Sequence, residues 1–310
     1  MKRVGLVGAR GYVGRELMHL LVAHRGFEIA WASSTTKAGQ PVSETVEFAP
    51  PGLNFEEATP SLLHKSPVDA LILALPNGES AEWVQAASHD LCVIDLSADH
   101  RFDASWVYGL AERNRARLRG ARRIANPGCY ATAIQAALGP IVPLLDGPAH
   151  AFGVSGTSGA GTSPSPKNDP ALLRDNLLPY ALVEHTHEHE VAAQLAHPVF
   201  FMPHVAPFFR GLTVTTSVTL KEPTTRALLV NRFAAFFENE PLVRLSDEAP
   251  LVRDAQNKHT VNVGGIAVSA DGLHAVIVST LDNLLGGAAT HALRNLNLSM
   301  GFSELEGIAT

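Results

Sequence analysis

Apolar positions along the chain come in short runs separated by stretches of helical spacing. Residues 3–9, RVGLVGA, close on a glycine, and YVGRELMHLLVAH after them places Val13, Leu17, Leu20 and Leu21 three or four apart. This predicts strand, tight turn and helix. The runs EIAWASS, DALILALP and LCVIDLS follow, with a helical ESAEWVQAASH between the last two, and RRIAN leads into an Ala-rich helix opening at Cys129. Strands alternating with helices predict a parallel sheet covered on both faces.

From about residue 150 the pattern changes. SGTSGAGTSPSPKNDP, residues 155–170, is a long polar loop, GLTVTTSVTL alternates strictly, and IAVSADGLHAVIVST is two strand-like runs around Asp271-Gly272, a dipeptide suited to a tight hairpin turn at positive φ. These strands predict a second, mostly antiparallel sheet covered by a helix over TTRALLVNRFAAFFENE. The last periodic segment, AATHALRNLNLSMGF, predicts a helix with Leu293, Leu296 and Met300 on one face. No internal repeat or low-complexity tract interrupts the chain. The fold class is therefore α/β: one unit with a doubly wound parallel sheet and one α+β unit with a mostly antiparallel sheet.

Length and composition agree with two globular domains: 310 residues, 46% hydrophobic and 17% charged. No run approaches the ~18 apolar residues of a membrane span, and the N-terminus lacks the pattern of a signal peptide, so a cytoplasmic protein without a membrane partner is expected. A net charge of −6 with no basic stripe argues against a nucleic-acid partner. The basic run RNRARLRGARR, residues 113–123, reads as a solvated helix face. Two cysteines make no disulfide framework, and each is read singly.

Gly8, Gly11 and Gly14 stand at the first strand-to-helix turn, where glycines let the backbone approach a pyrophosphate held by the helix start. The second strand ends in Ser33, Ser34, Thr35 and Thr36, then Lys37, without the carboxylate that would bond a ribose 2′-hydroxyl. Hydroxyls and a cation suit a 2′-phosphate, and Arg10 adds a second charge, so the expected cofactor is NADP(H). Cys129, after Pro127-Gly128, opens a helix whose start favours the thiolate. It reads as a nucleophile or as a small buried hydrophobe, and Cys92 within LCVIDLS fits the second description far better. HTHEHEV holds His185, His187 and His189. On a strand these would face one way and suit a metal, acid–base work needs only one imidazole, and a solvated or structural cluster is the third reading. With no cysteine pair, H-E-x-x-H or carboxylate-rich loop, no metal site is expected. A thiolate with a nicotinamide is equipment for interconverting an aldehyde and an activated acid through a thioester.

GARGYVGREL, LALPNG, DLSADHRF, NPGCYAT, SGTSGAGTSPS, the histidine segment, FMPHVAPFFRGL and DNLLGGAATHALRNLNLSMGF together carry a resemblance that runs end to end. The chain resembles the N-acetyl-gamma-glutamyl-phosphate reductases of arginine biosynthesis, in the aspartate-semialdehyde dehydrogenase-like superfamily. The resemblance implies NADPH-dependent reduction of N-acetyl-L-glutamyl 5-phosphate to the 5-semialdehyde and phosphate. It implies a Rossmann domain over 1–128 and 284–310, a catalytic and dimerisation domain over 129–283, and a homodimer or homotetramer. It makes Cys129 the nucleophile and His185 and His187 the acid–base candidates. Asn126, Ser155, Gly156, Ser158, Gly159, Glu190 and Arg210 become substrate contacts. Tyr12, Val13, Pro76, Asn77, Ser97 and Asn283 join Gly8, Arg10, Gly11, Gly14, Ser33, Ser34 and Lys37 around the cofactor. Three departures stand out: Thr186 between the paired histidines, His189 before the glutamate, and Gly286 where the resemblance leads one to expect lysine. Rival readings are a reductase acting on an aminoadipate derivative or aspartyl phosphate, a non-catalytic NADP-sensing protein, and a metal-dependent hydrolase built on HTHEH.

Overall fold

The computed structural model describes residues 1–309, which form two compact units, Met1–Gly128 with Ala288–Ala309, and Cys129–Gly287. The first unit is built on strands β1 (Lys2–Val7), β2 (Phe27–Ser34), β3 (Phe55–Glu57), β4 (Ala70–Leu73), β5 (Cys92–Asp95), β6 (Val107–Tyr108) and β7 (Arg123–Ala125). They lie in the order β3-β2-β1-β4-β5-β7-β6, all parallel. Val4, Leu6, Leu71, Ile72, Val93 and Ile94 are inaccessible to solvent, which is why these strands read as unbroken apolar runs. The helix Tyr12–Ala23 buries Leu17, Met18, Leu20 and Leu21.

The C-terminal helix Thr290–Met300 departs from the one-sided pattern. Every residue from Thr290 to Ser299 is buried, polar ones included. Arg294 makes this possible by donating to Glu112 at 2.5 Å and to Glu304 at 2.6 Å, while Asn297 Nδ2 donates to the Glu304 and Glu306 carbonyls. The basic run is likewise only partly a solvated face. Arg113, Arg117, Arg119 and Arg122 are exposed, but Arg115 closes on Glu304 at 2.6 Å.

The second unit holds β8 (Ala149–Ser155), β9 (Leu178–Pro179), β10 (Val199–Val205), β11 (Leu212–Thr219), β12 (Val243–Ser246), β13 (Val261–Val268) and β14 (His274–Leu281). Their order is β12-β13-β14-β11-β8-β10-β9; β8–β10 and β12–β13 are parallel and the other pairings antiparallel, a mixed sheet. One face packs under helices Cys129–Leu138, Thr186–Leu195 and Arg226–Phe236, with Ile134, Leu138, Val191, Phe201, Val214, Phe233 and Ile277 in a shared core. Each such side chain contributes about 1.5–3 kcal/mol on burial. The other face leaves His150, Phe152, Phe200 and Thr215 exposed.

The expected hairpin turn is present with different chemistry. Gly272 N–H donates to the Ser269 carbonyl, so four residues make the turn, and only Gly272, at φ 76°, takes positive φ. Among the described residues no helix is long and apolar enough to cross a membrane.

Candidate active site

In the first unit, β1 delivers the chain to Gly8 at φ 77°, where a Cβ would run into the Ala74 carbonyl. At Gly14 a Cβ would lie 2.7 Å from the Ala9 Cα, and at Gly11 it would lie 3.3 Å from the Gly8 carbonyl oxygen. Gly11 caps the helix start with no side-chain bond, and no acidic residue stands in the first turn. Bare backbone and uncapped N–H groups fit an anion such as a pyrophosphate. Arg10, Tyr12 and Val13 sit half-buried around this turn.

At the end of β2, Ser33 is fully enclosed with no hydrogen-bond partner for its hydroxyl, and Ser34 accepts from Thr36 N–H at 3.4 Å. Lys37 is half-buried and the threonines exposed. The sequence offers no carboxylate here, yet the fold sets exposed Glu56 and Glu57 of β3 in register beside Ser33 and Ser34. Pro76 and Asn77 are exposed, Asn77 accepting from Ala98 N–H at 2.9 Å. Ser97, expected as a cofactor contact, is buried and donates to Asp95 at 2.6 Å. The glycine backbone and the helix start without a side-chain cap fit a bound dinucleotide, whereas the Ser33 hydroxyl is enclosed by protein.

β7 ends in the turn Asn126-Pro127-Gly128, and Cys129 is the first residue of the ten-residue helix that follows. Asn126, expected at the substrate, holds the turn: its amide donates to the Ala288 carbonyl at 3.2 Å and accepts from Asn295 at 3.0 Å, and its carbonyl accepts from Arg101 at 2.9 Å. Cys129 is half-buried and opens on a cavity of about 40 Å³ lined also by Tyr130, Ser155, Gly156, Gly159, Ala160, Lys167, Tyr180, His187 and Val205. Gly287 crosses directly over it, where a Cβ would stand 2.6 Å from the Cys129 Cβ. Burial, with the Cys129 charge contributing, pushes the Tyr180 phenol well up, and burial with the Tyr180 and Cys129 charges does the same to Tyr130. Both phenols therefore keep their protons, and Tyr130 donates its own to the His204 carbonyl at 3.0 Å. Cys92 is different in kind: burial pushes its thiol up to about 11, and Ser299 lies at 3.2 Å.

The histidine segment is helical, which removes the common face a strand would give it. His185 is the N-cap of Thr186–Leu195, its Nδ1 accepting from His187 N–H at 3.0 Å. Its neutral ring therefore carries the proton on Nε2. Burial, then Lys167 and His189, pulls its pKa down to about 4, so it is uncharged at neutral pH. His187 points to the Cys129 cavity, with its ring 5.9 Å from Tyr130 and 4.9 Å from His185, whereas His189 is exposed. Glu188 pins the helix to the sheet by accepting from Phe201 N–H at 2.7 Å. Among the described residues no group of three or more His, Cys, Asp and Glu is placed to hold a metal ion.

Three further residues expected at ligands are engaged within the protein or buried. Glu190 is completely buried and does not line the cavity. Arg210 is clamped by Asp282 through Nε at 2.6 Å and Nη2 at 3.0 Å. Asn283 donates to Ser158 at 2.9 Å and accepts from Gly211 N–H at 2.7 Å, so its amide fastens the 155–161 loop. In that loop Ser155 reaches the cavity, Gly159 is exposed, and a Cβ on Gly156 would strike the Phe209 backbone. Lys167, Tyr180 and Gly287 are site residues that sequence reasoning passed over. Only the length of the polar loop hinted at Lys167, and nothing in the sequence brings Gly287 to Cys129.

A roomier hollow of about 440 Å³ in the first unit is lined by Lys2, His64, Asp69, Asp90, Arg122 and Met300, among others. It sits at the amino ends of β1, β4 and β5. Ligands of open α/β sheets bind at the carboxyl ends, where the glycine turn lies.

Two family models match the chain: "Semialdehyde dehydrogenase, NAD binding domain" over residues 3–121 and "Semialdehyde dehydrogenase, dimerisation domain" over 129–283. An N-acetyl-gamma-glutamyl-phosphate reductase of Xanthomonas oryzae pv. oryzae is 48% identical over 308 residues, covering 98% of both chains. One of Xylella fastidiosa is 49% identical over 308 residues, 98% of this chain and 94% of the relative. Among solved structures, aspartate semialdehyde dehydrogenase II of Vibrio cholerae matches with a TM-score of 0.77 at 19% identity, covering 97% and 98% of the two chains. The aspartate semialdehyde dehydrogenase of Candida albicans, solved with NADP, gives 0.73 at 16%, covering 97% and 99%. These two show a shared fold.

Proposed function

The chain belongs to the semialdehyde dehydrogenase family and, within it, to the N-acetyl-gamma-glutamyl-phosphate reductases, and from that premise we propose that it reduces N-acetyl-L-glutamyl 5-phosphate to the 5-semialdehyde and phosphate, with NADPH, in arginine biosynthesis. It is an oxidoreductase. The observation that carries the mechanistic reading is that Cys129 and His187 open on the same cavity.

Gly8, Gly11 and Gly14 would hold the pyrophosphate, with Arg10 and Lys37 as cations for a 2′-phosphate. When bound, NADPH supplies the hydride that brings the acyl carbon to the aldehyde level. The Cys129 thiolate, favoured by the positive end of its helix, attacks the acyl carbon of the substrate. The carbon–oxygen bond to phosphate breaks, and a thioester on Cys129 remains. His187 gives a proton to the acyl oxygen as negative charge builds there, and recovers it as the thiohemiacetal collapses to aldehyde and Cys129 thiolate. Neutral Tyr130 and Tyr180 supply polar walls without competing as bases. His185, uncharged and committed through Nδ1 to the helix start, positions His187 rather than moving the proton itself. The match to a dimerisation domain and the exposed Phe152 and Phe200 on the second sheet support a homo-oligomer, checked by light scattering for a mass at least twice 33.0 kDa.

The test is the reverse reaction, phosphate-dependent reduction of NADP by the semialdehydes of N-acetylglutamate, N-acetylaminoadipate and aspartate. N-acetylglutamate semialdehyde is expected to give the highest kcat/KM, by roughly 10-fold or more over the one-methylene homologue. A higher value for either competitor overturns the substrate assignment.

A further inference from the structure

The Cys129 cavity contains a cation that no acid answers. Lys167 sits in the short turn Pro166–Asn168, which Asn168 fixes by accepting from Ser165 N–H at 2.8 Å and donating to the Gly161 carbonyl at 3.1 Å and the Ser163 carbonyl at 2.8 Å. From this base its side chain crosses to the cavity, with Nζ 4.9 Å from the centre of the Tyr180 ring. Among the described residues it makes no ion pair. A cation over an aromatic face is held less firmly than one in an ion pair, so its donors remain available to a stronger acceptor.

We propose that Lys167 anchors an anionic group of the substrate, its carboxylate or its phosphoryl oxygens, at the cavity that opens on Cys129. The proposal rests on the reductase reading and gives it a binding determinant. Arg210 has both Nε and Nη2 on Asp282, so the expected cation for this role is already engaged. Among the side chains lining the cavity, Lys167 is the permanent positive charge; His187 is the other group able to carry one. Its charge also reaches His185, whose proton affinity it helps to lower. At about 40 Å³ the recess has room for a terminal group, and an ammonium with three rotatable donors suits a carboxylate or phosphate oxygen.

The reverse reaction separates the two sources. Lys167→Met is expected to raise KM about 10–100-fold, the loss of one charge-assisted contact, with kcat changed far less and the thermal midpoint unmoved. A rise confined to the semialdehyde assigns Lys167 to the carboxylate, and a rise confined to phosphate assigns it to the phosphoryl group. Lys167→Arg should recover most of either loss. Unchanged KM values for both, or a loss in kcat that Arg does not rescue, overturn the proposal. A readout free of turnover is protection of Cys129 from iodoacetamide by N-acetyl-L-glutamate or inorganic phosphate, Cys92 being buried. If the native chain lacks turnover on this semialdehyde but is protected, and Lys167→Met is not, the anchor stands and the reaction reading fails. Equal protection of both, or protection of neither, overturns the anchor.

Discussion

Cys129 owes its setting to neighbours with no chemistry of their own. The turn at Pro127-Gly128 brings it to a helix start, and Gly287 lets the chain pass over it at a separation that leaves no room for a methyl group. Gly287→Ala would place that methyl 2.6 Å from Cys129 Cβ and 2.9 Å from Leu281 Cδ1. The overpacking is worth about 1–3 kcal/mol and falls on Cys129, the proposed nucleophile, so turnover should drop about 10-fold or more while cofactor binding, measured by fluorescence titration, is retained. Gly286, where the resemblance leads one to expect lysine, is less constrained: a Cβ there would sit 3.1 Å from the carbonyl oxygens of both His259 and Thr260, a tight fit that a shift of a few tenths of an ångström would relieve.

At the scale of elements, unbroken apolar runs carried the first sheet, alternation the strands of the hairpin, and glycine itself the first turn, because each is a local feature. The histidine segment was harder to read. Alternating histidines resemble a strand, but Val191 and Leu195 lie four apart, and their burial makes the segment a helix capped by His185. Pairings across long stretches of chain left no local signal. Arg210 looked like a carboxylate ligand because a guanidinium fork fits a carboxylate; the carboxylate it meets is Asp282, 72 residues away. Asp282 is fully buried and also accepts from Asn257, Leu284 and Leu285 N–H groups. Asp282→Asn should cost about 3–5 kcal/mol in urea unfolding, as should Arg210→Met, with the double change well short of their sum. Additive losses would contradict a shared ion pair.

Across the whole molecule, buried charge ties stability to pH. Glu112, opposed by burial but held by Arg294, stays ionised down to about 2, and burial pulls His291 down to about 4 although Glu112 raises it. An unfolded histidine takes up a proton near pH 6.5 that folded His291 refuses until about 4, so stability is full above roughly pH 6.5 and declines as pH falls toward 4. Glu112 adds a second loss below about 4.5, its unfolded value, that runs to about 2. His185, pulled down to about 4, acts in the same direction as His291. Urea midpoints should fall between pH 6.5 and 4.5, with a shallower fall in His291→Leu. The strand–turn–helix order of the first sheet and the placing of Cys129 at a helix start were legible because glycine turns and apolar periodicity are local features. The polar interior of the C-terminal helix and the surroundings of Lys167 arise from distant partners. The central claim, a thioester on Cys129, is tested most directly by mixing the enzyme with N-acetylglutamyl phosphate without NADPH and measuring phosphate. The account predicts a burst approaching one phosphate per chain, an acylated Cys129 peptide by mass spectrometry, and neither in Cys129→Ser. A native enzyme that turns over normally yet gives no burst, or an equal burst from Cys129→Ser, would contradict it.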